Sequence, residues 1–232
     1  MKIGLVTPGA IGAVTPDAAA MYPEMTFVAK GTGVGSLTPA GYDQAVDKIV
    51  PAADALAAEG VDAISLFGTS LTFYRGPKFN EELQDEVRAR TGLPVSSMST
   101  AIVEGLRAVG SRRVAVATAY IDIVNDRLRE LLEFHGFEVG AIESFGITDF
   151  GGSSGRKTGE EIMELVGRAC EKTPEADGIV ISCGGLKTLE LARPLEARHG
   201  LPVVSSTPAA LWSAVRLVGQ TGRVDGYGQL FE

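Results

Sequence analysis

The chain has 232 residues and a formal net charge of −8, with 45% hydrophobic and 22% charged residues. That balance is ordinary for a globular protein able to bury a substantial core, as one domain or as two compact halves. The acidic excess, with no Lys/Arg cluster to offset it, argues against nucleic acid as a partner.

No apolar run nears the roughly 20 residues of a membrane helix, and the first residues lack the pattern of a secretory leader. A cytoplasmic protein that binds no membrane is therefore expected. Cys170 and Cys183 are too few and too isolated for a disulfide framework. His135 and His199 each precede a glycine near an expected helix end, where they would serve as cationic caps. No His, Cys and carboxylate cluster has metal-ligand spacing, so no metal is expected.

In chain order, an apolar strand over Lys2 to Thr7 runs into Pro8-Gly9-Ala10, which lacks the glycine fingerprint of a dinucleotide site. The glycine-rich stretch Gly31 to Ser36 follows no convincing strand–helix junction at the spacing of a nucleotide cradle and reads as a loop that lets backbone approach a ligand. Ser36-Leu37-Thr38-Pro39 then starts one helix over about Tyr42 to Glu59. A strand over Val61 to Phe67 leads to Gly68-Thr69-Ser70-Leu71, and helices follow near Lys78 to Arg90 and Thr100 to Val109. Val114 to Thr118 is a strand ending at Ala119-Tyr120, followed by a helix to about His135 and a short strand over Phe137 to Ile142. Gly146 to Thr158, with Gly-Gly-Ser-Ser-Gly inside it, has few apolar anchors and is a candidate mobile flap.

After a helix near Gly159 to Lys172 comes Ala176 to Leu186, an apolar run rich in β-branched residues that ends in Cys183-Gly184-Gly185. It reads as a buried parallel strand entering a tight turn, with the cysteine at the carboxyl end where open α/β sheets bind ligands. Helices near Thr188 to Arg198 and around Trp212 complete the chain. By itself Cys183 is equally well read as a small thiol packed in the core.

The Cys183 segment has a counterpart. Val61 to Leu71 aligns with Ala176 to Leu186 without a gap, placing Gly68 opposite Cys183 and Thr69-Ser70 opposite Gly184-Gly185. Gly92-Leu93-Pro94-Val95 matches Gly200-Leu201-Pro202-Val203, and Lys2 to Thr7 matches Arg113 to Thr118. An α/β fold follows: two pseudo-symmetric parallel-sheet halves, 1–111 and 112–232, with the active site between them and some crossing-over at the end of the first.

Three strand ends would then converge: Gly68-Thr69-Ser70, Ala119-Tyr120 and Cys183-Gly184-Gly185. They bring together hydroxyls and free amides, all donors, without Lys or His. Such a site suits a carboxylate and stabilises it further as its negative charge grows. Cys183 is the one residue of the cluster able to exchange a proton near neutral pH.

These halves, with a cysteine at a strand end, resemble the aspartate/glutamate racemase superfamily and, within it, the arylmalonate decarboxylase family. The resemblance runs nearly end to end, through Tyr42 after Thr38-Pro39, Gly68 to Gly76, Ser99-Thr100-Ala101, Ala117 to Asp122, Ser182 to Leu186 and Gly226-Tyr227-Gly228. It implies a cofactor-free decarboxylation of aryl- or alkenyl-substituted malonates, with Cys183 as proton donor. Thr69, Ser70 and Tyr120, with the amides of Ser70 and Gly184, would form a dioxyanion hole around one carboxylate. The second carboxylate would occupy a pocket drawn from Pro8, Gly9, Val34, Leu37, Phe67, Gly68, Leu71 and Phe150. The partner is then a small dicarboxylate.

The superfamily's racemases and maleate isomerases carry a cysteine in each half, whereas Gly68 stands at the first position here. The loop Asp149 to Ser153 is more glycine-rich and polar than a wall of an apolar pocket calls for. A two-cysteine isomerase or racemase is the rival enzyme reading, and a non-catalytic carboxylate-binding protein is the rival of another class.

Overall fold

In a computed structural model that describes residues 1–150 and 152–232, the strands form two four-stranded parallel sheets. The first holds β1 (Lys2–Thr7), β2 (Thr26–Gly31), β3 (Ala63–Leu66) and β4 (Val95–Ser97), in the order β2-β1-β3-β4. The second holds β5 (Arg113–Thr118), β6 (Glu138–Ser144), β7 (Gly178–Ser182) and β8 (Val203–Ser205), in the order β6-β5-β7-β8. The two orders are the same. Strands β3 and β7 are buried along their whole length, which is why their residues read as continuous apolar runs and do not alternate.

Helices cover both sheets: α1 (Pro16–Met21), α2 (Pro39–Val46), α3 (Ile49–Ala58), α4 (Thr69–Phe73), α5 (Pro77–Thr91), α6 (Met98–Ala108), α7 (Asp122–Phe134), α8 (Gly159–Glu171), α9 (Ala192–His199) and α10 (Ser206–Leu217). The helices that end the two halves cross over. α10 packs on α6 and on β3 and β4 of the first sheet, and α6 reaches β8 of the second. Ser96 and Ser213 join across this seam at 2.9 Å, and Ser213 donates to Glu104 at 2.8 Å. The seam places the first residues of α6 and α10 side by side beneath the cleft.

Several sequence expectations change. The single helix over Tyr42 to Glu59 is two, α2 and α3, broken at Asp47-Lys48. Pro51 has no N–H to return to Asp47, so an unbroken helix would lack that hydrogen bond. Gly31 to Ser36 leads out of a strand missing from the sequence reading, the edge strand β2 paired with β1. Its run Thr-Phe-Val-Ala-Lys-Gly is only partly buried and carries a charge, so the apolar signal of a strand is weak. Gly31 is needed there for a backbone-to-backbone approach: a Cβ would stand 2.1 Å from the Gly9 carbonyl oxygen.

The expected flap is tied down. Ile147 is buried and its N–H donates to the Ala119 carbonyl at 2.7 Å. The Leu37 N–H donates to the Thr148 carbonyl at 2.8 Å, so loops from the two halves clasp one another. Gly151 of this segment lies outside the described residues. The two histidines are not cationic caps, because burial pushes both imidazoles below their ordinary range. Gly136 and Gly200, with φ of 88° and 69°, follow α7 and α9 in the left-handed conformation instead.

Helix α8 begins with a full capping box: Thr158 Oγ1 accepts from the Glu161 N–H, and Glu161 Oε2 accepts from the Thr158 N–H at 2.8 Å. Thr158→Ala should cost roughly 1 kcal/mol, seen calorimetrically as a fall of about 2–4 °C in Tm for a chain of this size. An unchanged Tm would show that this cap adds nothing.

Candidate active site

Strands β3 and β7 end at Gly68 and Cys183, and both residues leave the sheet with positive φ, 105° and 154°. Cys183 is the one non-glycine residue with positive φ among the described residues. Such conformations cost energy and gather where function demands a particular side-chain position.

Between the two strand ends lies a cavity of about 220 Å³. Its donor side carries Thr69 and Ser70 from α4, Tyr120 after β5, and Cys183-Gly184-Gly185 after β7. Its apolar side carries Pro8 and Gly9 after β1, Val34 and Leu37 from the glycine-rich loop, and Phe67, Gly68 and Leu71 around the end of β3. Phe150 closes it from the clasped loop. The structure thus brings every sequence-predicted site residue to one cavity. Cys170 sits half-buried on α8 and does not line it.

The two glycines after Cys183 are set by space. A Cβ on Gly184 would stand 3.1 Å from Met98 Cε, and one on Gly185 would stand 2.3 Å from Ser154 Oγ. Backbone therefore comes up against the cavity where any side chain would fill it. In the first turn of α4, the amides of Ser70 and Leu71 have no acceptor within their own helix.

Beneath the cavity a chain of hydroxyls crosses between the halves. Thr69 Oγ1 donates to Ser206 Oγ at 2.9 Å, and the Cys183 N–H donates to the same Ser206 oxygen at 3.1 Å. Tyr120 Oη and Ser182 Oγ pair at 3.3 Å. Tyr42 is buried against the cavity, and its Oη makes no well-formed hydrogen bond among the described residues, although the Ser70 hydroxyl lies near it. A buried hydroxyl in that state is an open donor for a ligand.

Burial pushes the Cys183 thiol above its ordinary pKa, and the nearby amides of Gly185 and Leu186 with the Ser154 hydroxyl only partly offset this. Tyr120 is raised well above its usual range, first by burial and then by Cys183 and Tyr42. Tyr42 is raised by burial too. All three stay protonated at neutral pH. Among the described residues no Lys, Arg or His lines the cavity, so the site offers a carboxylate neutral donors, together with one thiol that holds its proton.

Met98, Ser154, Ser206 and Thr207 went unread in the sequence. Met98 and Ser206 had a signal: the pairing of Val95 with Val203 makes them equivalent first residues of α6 and α10. Ser154 had none, since its burial depends on how its loop folds back over Gly185.

The sequence profile of a family described as arylmalonate decarboxylase matches residues 3–231. The arylmalonate decarboxylase of Bordetella bronchiseptica is 47% identical over 231 residues, 99% of this chain and 96% of that protein. A solved structure of an arylmalonate decarboxylase double mutant in its liganded form is 46% identical. It superposes with a TM-score of 0.97, covering 100% of this chain and 98% of the other. The maleate cis-trans isomerase of Nocardia farcinica, solved with a covalently bound succinylcysteine intermediate, shares the fold. Its TM-score is 0.91 at 24% identity, over 99% of this chain and 97% of that one.

The raised thiol pKa sets the pH dependence of Cys183 reactivity. The folded value lies above that of an exposed cysteine, so the thiolate appears only at a pH above the ordinary value of about 8.5. Alkylation of Cys183 by iodoacetamide, followed by peptide mass spectrometry, should be slow at pH 7 and half-maximal above that value. A midpoint below pH 8 would contradict the desolvated thiol.

Proposed function

The chain belongs to the arylmalonate decarboxylase family and is a carboxy-lyase of that kind, and we propose that it works without a cofactor on aryl- or alkenyl-substituted malonates at the Cys183 cavity. What carries this reading is the pairing of a neutral, donor-lined wall with a single protonated thiol.

One substrate carboxylate sits in a dioxyanion hole made by the hydroxyls of Thr69, Ser70 and Tyr120 and the amides of Ser70 and Gly184. The other is pressed against Pro8, Val34, Leu37 and Leu71, where an anion finds no partner. Departure of that group as CO2 breaks its bond to the α-carbon. The electron pair passes to the α-carbon and on into the retained carboxylate, giving an enediolate. Fixed dipoles stabilise its second charge without reorganisation, the largest effect available to a site of this kind. The aryl or alkenyl group spreads the charge further. Cys183 then transfers its S–H proton to the α-carbon, and the thiolate regains a proton from solvent.

Incubation with phenylmalonate, without added metal or cofactor, should release CO2 and phenylacetate. Cys183→Ala should abolish turnover while phenylacetate still binds, because the dioxyanion hole lies outside that side chain. An alanine variant with near-wild-type kcat would remove Cys183 from the mechanism.

The counterpart of Cys183 is Gly68, so one face of a flat enediolate has no proton donor and the product should be a single enantiomer. A Cβ on Gly68 would stand 3.4 Å from Leu71 Cβ and 3.5 Å from Pro8 Cβ, ordinary contact distances, although its φ of 105° strains any side chain. Gly68→Cys should therefore fold, lower the enantiomeric excess from methyl(phenyl)malonate, and exchange the α-hydrogen of 2-phenylpropionate in deuterated water. A well-folded variant that does neither would sink the two-faced geometry.

A further inference from the structure

The two halves use different atoms for the same task. At the end of β3 the Gly68 N–H donates to Met98 Sδ at 3.0 Å, and at the end of β7 the Cys183 N–H donates to Ser206 Oγ at 3.1 Å. Met98 and Ser206 are each the first residue of the helix that follows the neighbouring strand. A thioether can only accept. A hydroxyl accepts and also has a proton to give.

Thr69 lies next to both atoms, 3.6 Å from Met98 Sδ and 2.9 Å from Ser206 Oγ. It has one O–H, and in this structure that proton goes to Ser206. Ser206 sends its own proton only to the distant Ile181 carbonyl, at 3.5 Å, which is a weak bond. A carboxylate in the cavity claims the Thr69 proton, and the 2.9 Å contact then has none unless Ser206 turns round and donates to Thr69 Oγ1. Little is lost by that turn, and the Cys183 N–H keeps its acceptor on the other lone pair. A hydroxyl that receives a hydrogen bond becomes a better donor itself, so the reversed chain strengthens Thr69. Ser206 is 1% exposed and sits below the cavity wall, so it acts through Thr69 and never meets the substrate.

From this geometry we infer that Ser206 is a positioning residue that reverses its hydrogen bond to Thr69 when substrate binds, supporting the Thr69 donor while holding the Cys183 backbone. The inference rests on the reading that Thr69 donates to the retained carboxylate, and deepens it.

The test is a double-mutant cycle on phenylmalonate turnover. Thr69→Ala should lower kcat by about 10²–10³-fold, and Ser206→Ala by roughly tenfold with a smaller change in KM. In the Thr69→Ala background, Ser206→Ala should cost clearly less than tenfold, the remainder reporting its hold on the Cys183 N–H. Ser206→Cys separates the two duties, since its sulfur can accept the Cys183 N–H as Met98 does for Gly68 but is a poor donor to Thr69. It should fold and still lose most of that tenfold, which keeps the test open if Ser206→Ala is unstable. Wild-type kcat in a folded Ser206→Ala or Ser206→Cys protein would overturn the inference. So would equal losses in both backgrounds, which would assign Ser206 to Cys183 or to the fold. Wild-type kcat in Thr69→Ala would instead overturn the dioxyanion reading, and the inference with it.

Discussion

On the proposed mechanism a thiol that gives up a proton has to keep it until the last step, and the cleft suits that condition. Burial pushes the Cys183 thiol further above neutral pH, while the proposed reaction asks the same cleft to stabilise an intermediate of growing negative charge. A Lys or Arg would serve the second need and defeat the first, because a nearby cation also draws the thiol towards thiolate. Neutral donors resolve the conflict. Hydroxyls and amides act strongly at hydrogen-bond distance on an oxyanion, and their field falls off faster than that of a full charge. A cavity lining without Lys, Arg or His among the described residues thus suits the proposed chemistry, and the apolar walls help to keep the thiol protonated.

Symmetry supplies the frame and its breaking supplies the chemistry. Both sheets have one strand order, and both central strands end in a positive-φ residue whose N–H is taken by the helix that follows the neighbouring strand. On that frame the first half places hydroxyls at Thr69 and Ser70 where the second has the bare backbone of Gly184 and Gly185. The second half places a thiol where the first has Gly68. The two roles are divided, one half giving side-chain donors and the other giving the thiol. The crossing of α6 and α10 keeps the two sets in register, because neither helix can shift without moving both sheets.

Most of this frame was legible because burial on both faces leaves a plain mark, as in Gly178–Ser182, and because the repeat fixed which residues oppose one another. What escaped notice did so for physical reasons. β2 is an edge strand with Lys30 and Gly31 in it, and α4 is a run of Thr, Ser and Phe that helix propensity alone would not start. The break between α2 and α3 hung on the N–H that Pro51 lacks. Ser206 was invisible because its neighbours in space, Thr69 and the Cys183 amide, lie 137 and 23 residues away in sequence.

The loop after β6 shows how composition misleads about a wall. Asp149, Ser153 and the glycines between them made it read as too polar and glycine-rich to border an apolar pocket. In the structure those groups satisfy one another: the Ser153 N–H donates to Asp149 Oδ2 at 3.0 Å, and Arg156 donates to Ser153 Oγ at 3.1 Å. Its backbone is spent on the other half, through the Leu37 N–H to Thr148 and the pairing of Ser36 with Asp149. With its polar groups occupied away from the cavity, the loop has Phe150 to present to it. Val34 and Leu37 stand on the partner loop of the same clasp, so one set of backbone bonds assembles the apolar wall. The bonds that hold the two loops together thus also set the apolar surroundings in which the buried thiol keeps its proton.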